Sequence, residues 1–355
     1  MADEVNILLT CVGRRVSLLE AFRKALADLG LQGRVYGADH SRLAAAFQRA
    51  DGGFLVPAAT EGEPYVEALE AICRSQRIAL LVPLLDWELE TLAAGRERFE
   101  RAGTRALISS PRVVRICRDK LQTFTFLKTH GFDTPEVLSY ENALAGPFPL
   151  FMKPRYGSSA KDVHRIPDRD ALQFNQRAAA VHKIPDRDAL QFNQRAAAEE
   201  TVIQEFVDGQ EHTVDVYAGL DGVPRVAVPR RRLKVRDGEV SKAVTVRHPE
   251  IIRRSMQLVE ALEECVGVVT LQCFLAADGR VRFIEINPRF GGGVPLAMRA
   301  GTNFPRWLIE EHLGRRPDID PDAWQDGLVM LRYDDAVFCT AEDVDLTSDD
   351  GEPGR

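Results

Sequence analysis

The stretch VVTLQCFLAADGRVRFIEINPRFGGG, residues 268–293, decides how this chain is read. Two apolar-rich runs flank Asp278-Gly279, a pair that favours a two-residue hairpin turn because both of its positions take positive φ. With that turn Ala277 faces Arg280, Phe274 faces Phe283 and Gln272 faces Glu285. Glu285 and Asn287 are two apart and share one face of their strand. Directly opposed side chains hold their Cβ atoms roughly 4.5–5.5 Å apart. Gln272, Glu285 and Asn287 therefore converge: one carboxylate and two amide oxygens, the hard-oxygen set that suits Mg²⁺ shared with nucleotide phosphates. A solvated polar hairpin face would read the same up to this point. The continuation separates the two readings. Pro288 ends the strand, Arg289 is placed to meet a phosphoryl group in transfer, and Gly291 to Gly293 let backbone approach a ligand closely.

Three segments upstream carry complementary chemistry. FMKPRYGSSAKDV (151–163) ends an apolar strand on Lys153 and runs into a Gly/Ser loop. Backbone amides and the hydroxyls of Ser158 and Ser159 can cover phosphates there, while the ammonium offsets their charge. The loop lacks the G-K-[ST] ending of a Walker A motif, and an ordinary surface turn is the plain alternative. In VIQEFVDGQEHTVDVY (202–217) the apolar run holds Gln204 and Glu205, and a turn at Asp208-Gly209 follows. Backbone at Glu205, Phe206 and Val207 can pair with an adenine edge and Glu211 can take ribose hydroxyls; a polar hairpin face is again the alternative. PRRRLKVRDGEVSKAVTV (229–246) gathers Arg230, Arg231, Arg232, Lys234, Arg236 and Lys242. Such a concentration is either an anion site or a charged strand edge that resists pairing. Arg232 and Lys242 stand as candidate catalytic groups beside Arg289 and Lys153.

The first hundred residues alternate short apolar runs with helical patterns, a βαβα rhythm that implies a doubly wound parallel sheet. Strands are expected over 5–10, 34–38, 54–56, 78–85 and 105–109, with helices ending near Gly30, over 65–76 and over 87–99. One helix is expected from Pro111 to His130, and an α+β region rich in antiparallel strands from Thr201 onward. Thr10 to Arg15 and the pair Asp86 and Glu88 follow strands at carboxyl ends where such sheets bind ligands, with helix capping an equal alternative. Residues 163–180 recur as 181–198 with Arg165 replaced by Lys183. Two copies of eighteen residues make no solenoid. A recent local duplication or a sequence-assembly artefact is the reading, with a lid extension as the alternative. Each copy suits a short strand followed by a helix.

Totals narrow the class. The chain has 355 residues, 45% hydrophobic, with formal charge -7, which argues against non-specific nucleic-acid binding. No apolar window is long enough to span a bilayer, and the acidic start MADEVNILLT is not a secretory signal. The six cysteines form no C-x-x-C pair, so reduced thiols in a cytoplasmic protein are expected.

In order along the chain, these clusters resemble the ATP-grasp superfamily, and the resemblance covers nearly the whole length. The nearest subgroup is similar to free-standing proteins labelled carbamoyl-phosphate-synthetase-large-chain-like, although one ATP-grasp unit is too little for carbamoyl phosphate synthesis. The resemblance implies an α/β, doubly wound pre-ATP-grasp domain over 1–110 and an ATP-grasp fold of two α+β subdomains over 111–340. A lid would span about 140–205, and a flexible acidic tail 341–355. It implies that Lys120, in RDKLQTFTFLKTHGFDTPE (118–136), and Lys153 contact ATP, that Gln204 to Val207 form the adenine hinge, and that Glu211 binds ribose. Gln272, Glu285 and Asn287 match the metal ligands and Arg289 the phosphate-contacting arginine. The family's lid loop usually has glycine where this chain has Asp162. The implied cofactors are ATP and Mg²⁺, with Mn²⁺ as a substitute. The implied partners are a small carboxylate and an amine, without nucleic acid or membrane, with a homodimer as one arrangement. The implied reaction is ADP-forming ligation through an acyl phosphate. Carboxylation through carboxyphosphate, simple phosphorylation, and nucleotide binding without turnover remain the alternatives.

Overall fold

The early apolar runs at 6–10, 35–39 and 78–83 are buried on both faces, as strands sandwiched between helices must be, while the short flanking ones at 53–55 and 105–106 keep exposed residues. In the computed structural model, which describes residues 4–157, 162–181, 200–236 and 238–344, they form five parallel strands. These are β1 (Asn6–Thr10), β2 (Val35–Asp39), β3 (Gly53–Leu55), β4 (Ile78–Pro83) and β5 (Arg105–Ala106), in the order β3-β2-β1-β4-β5. The helix Val16–Asp28 buries Leu18, Leu19, Phe22 and Leu26 and stops before Gly30, whose φ is 65°. Strand order reverses between β1 and β4, and their carboxyl ends lead into Thr10–Arg15 and Leu84–Asp86, the crevice where open sheets take ligands.

Two helices expected as single pieces are broken. Residues 86–101 form Asp86–Ala94 and Arg96–Arg101, parted at Gly95. Residues 111–129 form Pro111–Arg118 and Lys120–Thr129. Between the latter Asp119 is extended, and its carboxylate accepts from the Leu121 N–H, so a residue placed inside the expected helix starts a new one. The last parallel strand is shorter than its apolar run suggests.

The rest is antiparallel. Strands β6 (Val137–Leu138), β7 (Leu150–Pro154), β8 (His164–Ile166) and β9 (Thr201–Glu205) make a small sheet in the order β6-β9-β7-β8. The first copy of the repeat supplies β8 and the helix Arg169–Val181, the strand and helix its sequence suits; residues 182–198 of the second copy lie outside the described residues. Asp162 has φ 55°. It adopts the left-handed conformation that glycine takes most readily, which a short polar side chain tolerates.

Strands β10 (Gly209–Gly219), β11 (Val226–Arg236), β12 (Glu239–Thr245), β13 (Gly267–Ala276), β14 (Val281–Asn287) and β15 (Val329–Leu331) form the larger sheet, ordered β14-β13-β10-β11-β12-β15. One face packs Val214, Val216, Leu271 and Phe283 against the helix Pro249–Leu262. The alternate residues of the same strands, Glu211, Thr213, Asp215, Thr270 and Gln272, are polar and form the opposite face. The parallel unit joins this sheet through a shared core in which Phe22 meets Phe290 edge-on, with ring centroids 6.0 Å apart. That contact sets the crevice beside the Gly291–Gly293 turn. Among the described residues no helix is long and apolar enough to cross a membrane.

Candidate active site

The β13–β14 hairpin reaches the expected pairing by an unexpected route. Its loop has three residues: the Ala276 N–H donates to the Arg280 carbonyl (3.0 Å), the Gly279 N–H donates to the Ala276 carbonyl (2.9 Å), and Gly279 alone takes positive φ, at 79°. A left-handed glycine closing a three-residue loop spares Asp278 that conformation. The change shifts pairing by one, so Phe274 faces Arg282 rather than Phe283. A bulge between Gln272 and Cys273 then restores the register, and Gln272 pairs with Glu285 and Thr270 with Asn287. Ile284 is the extra residue on β14, and its carbonyl accepts from Lys153 Nζ at 3.3 Å.

Glu285 and Asn287 line a cavity together with Lys120, Asp86 and Gly157. Lys153 is buried beside it, and burial, with Lys120 nearby, brings its ammonium down to about 8 against the pull of Glu285. Burial lowers Lys120 as well, opposed by Glu285, Asp86 and Asp119. Lys120 Nζ donates to the Gly157 carbonyl (2.9 Å), and Arg155 grips Asp119 with both Nε and Nη2 (2.8 and 2.6 Å). The strand that delivers Lys153 is thereby tied to the helix that delivers Lys120. Arg289 makes a two-pronged pair with Asp86 of the parallel unit (Nε–Oδ1 2.9 Å, Nη2–Oδ2 2.5 Å) and also donates to Asn287 Oδ1 at 3.3 Å.

Gln272 stands opposite Glu285 but does not line the cavity; its Oε1 accepts from Arg232 Nη1 at 3.2 Å. The same Arg232 nitrogen donates to Glu211 at 2.5 Å. Burial pushes the Glu211 carboxyl up, against the pull of Arg232. Gln204 is buried on β9, and the Glu205 N–H donates to the Glu136 carbonyl at 3.0 Å. The Phe206 ring lies under the Arg165 guanidinium at 4.9 Å, and Val207 is buried. Among the described residues the Phe206 and Val207 backbone groups have no hydrogen-bond partner. Lys242 is exposed on β12 opposite Lys234 and has no ion-pair partner among the described residues. Ser158 and Ser159 lie outside the described residues.

The basic segment divides by the carboxylate each arginine meets. Arg230 is fully buried with Asp215 (2.8 Å), Arg232 turns to Glu211, and Arg236 pairs with Asp334 (2.6 Å). Glu88 is a structural cap: it accepts from the Leu84 and Leu85 N–H groups and from the Thr10 and Tyr65 hydroxyls. Asp86, only two residues away, is the one that reaches the site. A further contact has no signal in the sequence: Glu239 of β12 binds Arg15 at 2.9 Å and Arg332 at 2.8 Å beside Gly292. It closes the crevice loop onto the glycine turn.

Family models match two long segments. Residues 7–107 match the PylC-like N-terminal domain, and residues 197–336 match the ATP-grasp in the biosynthetic pathway with Ter operon. No curated protein sequence matches the chain. Among solved structures, the chain is similar to the biotin carboxylase domain of the Hydrogenobacter thermophilus 2-oxoglutarate carboxylase, with 14% identity over 91% of this chain and 73% of that one and a TM-score of 0.66. It is also similar to the L-amino acid ligase from Bacillus licheniformis (19%, 87% and 74%, TM-score 0.62). A third is the N5-carboxyaminoimidazole ribonucleotide synthetase from Thermotoga maritima (18%, 90% and 78%, TM-score 0.59). At these identities the structures share a fold. With the parallel unit and the antiparallel unit each matched by its own model, the chain carries a PylC-like N-terminal domain followed by an ATP-grasp domain.

Proposed function

We propose that the chain is an ADP-forming, Mg-ATP-dependent ligase that phosphorylates a small carboxylate and joins the acyl group to an amine. The observation that carries this is the presence of Glu285 and Asn287 on one cavity wall with Lys120. One carboxylate and one amide are a thin set for a divalent ion. That suits Mg²⁺, which binds through one or two carboxylates plus substrate phosphates. Among the described residues no cluster of three or more His, Cys, Asp or Glu side chains could hold a metal without such help. Gln272 joins the set once Arg232 releases it, and Mn²⁺ suits the same donors. When bound, the ion neutralises phosphate charge.

The chain's own groups do the positioning. The free backbone at Phe206 and Val207 receives the adenine edge, beside Gln204 and Glu205, and Glu211 receives ribose. Lys120 and Lys153 orient the phosphates, and Ser158 and Ser159 belong to the lid over them. Arg289 turns from Asp86 to the transferring group, with Arg232 and Lys242 as further cations of the same sheet. A carboxylate oxygen attacks the γ-phosphorus and the bond to ADP breaks. The amine nitrogen then attacks the acyl carbon, the carbon–oxygen bond to phosphate breaks, and the nitrogen loses a proton. Domains over 1–110 and 111–340, with a lid over 140–205 and a tail from 341, are the proposed division of labour. A cytoplasmic homodimer is the proposed setting.

A second reading, carboxylation through carboxyphosphate, is favoured by the biotin carboxylase fold match, a protein described in complex with MgADP and bicarbonate. Assaying ADP and phosphate release over a panel of amino acids, small acids and bicarbonate separates the readings. Release that requires an organic acid and an amine is the expected result. Release driven by bicarbonate alone selects carboxylation, and AMP with pyrophosphate contradicts both.

A further inference from the structure

We infer that Asp119 is a positioning residue, whose one carboxylate sets Lys120 and Lys153 together for the nucleotide phosphates. This rests on the nucleotide site of the ligase reading and adds a residue to which that reading gives no role. Asp119 stands in extended backbone between two helices and caps the second, Lys120–Thr129, through the Leu121 N–H. A cap needs one acceptor oxygen, which serine supplies as well. Ser110 and Ser139 each cap a helix of this chain with a hydroxyl. Asp119 carries more than a cap. Its Oδ1 also accepts from Arg155 Nε (2.8 Å), and its Oδ2 accepts from Arg155 Nη2 (2.6 Å), the Gln122 amide (3.2 Å) and the Tyr156 hydroxyl (3.3 Å).

These bonds join the two lysine-bearing segments. Lys120 follows Asp119 directly; its backbone N–H donates to the Arg155 carbonyl (3.2 Å) and its Nζ to the Gly157 carbonyl (2.9 Å). Arg155 comes two residues after Lys153, at the exit of β7, and its N–H donates to the Glu200 carbonyl (2.7 Å) just before β9. Residues 119–121 and 155–157 thus form one knot, with a phosphate lysine at each side of it. Lys120, Tyr156 and Gly157 line the cavity, whereas Asp119 and Arg155 do not. The pair therefore acts on a ligand through its neighbours. A two-pronged arginine–carboxylate pair fixes plane as well as distance. That precision matters here, because misplacing a positioning group by about 1 Å can cost about 100-fold in rate.

The test titrates the full chain with Mg-ATP by calorimetry in the wild type, Asp119→Asn, Arg155→Met and the double variant. Asparagine keeps an oxygen for the cap, and methionine leaves the cap untouched at a side chain that is 27% exposed. The expected result is a Kd raised at least about 10-fold in each single variant. The double variant should lose no more than the worse single one, because both substitutions break the same pair. Kd values within about twofold of wild type in both single variants would reduce Asp119 to a helix cap, overturning the inference and leaving the nucleotide site standing. A double-variant loss equal to the product of the two single losses also overturns it, since the residues would then act independently. Should Asp119→Asn fail to fold, Arg155→Met decides alone by the same two limits. If the wild type does not bind Mg-ATP, the ligase reading falls and this inference with it.

Discussion

Arg230 and Arg289 both hold carboxylates in the interior, and they illustrate two kinds of ion pair. Arg230 and Asp215 lie on neighbouring strands of one sheet, with side chains 1% and 0% exposed, and Thr270 donates a further hydrogen bond to the carboxylate at 3.1 Å. Among the described residues their hydrogen-bond partners all lie within the sheet. Arg289 and Asp86 come from different units, their side chains keep 13% and 24% exposure, and Asp86 lines the cavity. A pair enclosed in one sheet fixes structure. A pair that bridges two units, with its carboxylate on a cavity wall, is the one we propose to give its guanidinium to an arriving phosphate.

Removing carboxylates separates the two. Asp215→Ala strands a buried guanidinium and should cost about 3–5 kcal/mol in urea unfolding. Asp86→Ala should cost clearly less, because both members of that pair keep solvent contact. Equal losses would erase the distinction. In turnover the order reverses: Asp86→Asn should lower kcat about 10- to 100-fold through a misplaced Arg289, with a smaller change in the KM for ATP. Unchanged kcat would make Asp86 a purely structural residue.

A smaller effect sharpens the site side of the comparison. Burial brings Lys153 down to about 8 from 10.5. The folded state disfavours the charged form, so this lysine's contribution to stability is least below pH 8 and recovers as pH rises toward the unfolded value. Binding runs the other way, since the ammonium is needed for phosphate. The kcat/KM for ATP should be level below about pH 8 and fall up to tenfold per unit above it, and Lys153→Met should abolish that limb. A profile level to pH 10 would place Lys153 away from the phosphates.

Much of the fold was legible because an unbroken apolar run and a polar–apolar alternation differ in the sequence itself, as in Ile78–Pro83 against Glu211–Asp215. The pairing of Gln272 with Glu285 was read correctly by a count with two compensating errors, a longer turn and a bulge. Turn length and bulges depend on backbone choices that residue types only bias. The break at Asp119 was missed because a capping aspartate inside apolar periodicity looks like one more polar helix position. The Asp86–Arg289 and Arg15–Glu239 pairs join residues about 200 apart, and no local pattern encodes such contacts. Gln272 was placed opposite the right residue, yet its contact with Arg232 came from β11, a strand whose position in the sheet was not predicted.

The claim on which the rest depends is that Glu285 holds a cation only together with a nucleotide. Calorimetric titration of ATP with and without Mg²⁺, in the wild type and in Glu285→Gln, tests it most directly. The expected result is no measurable binding of Mg²⁺ alone, at least tenfold tighter ATP binding with Mg²⁺ in the wild type, and loss of that gain in the variant while metal-free ATP affinity is kept. An equal Mg²⁺ effect in both proteins would contradict the assignment.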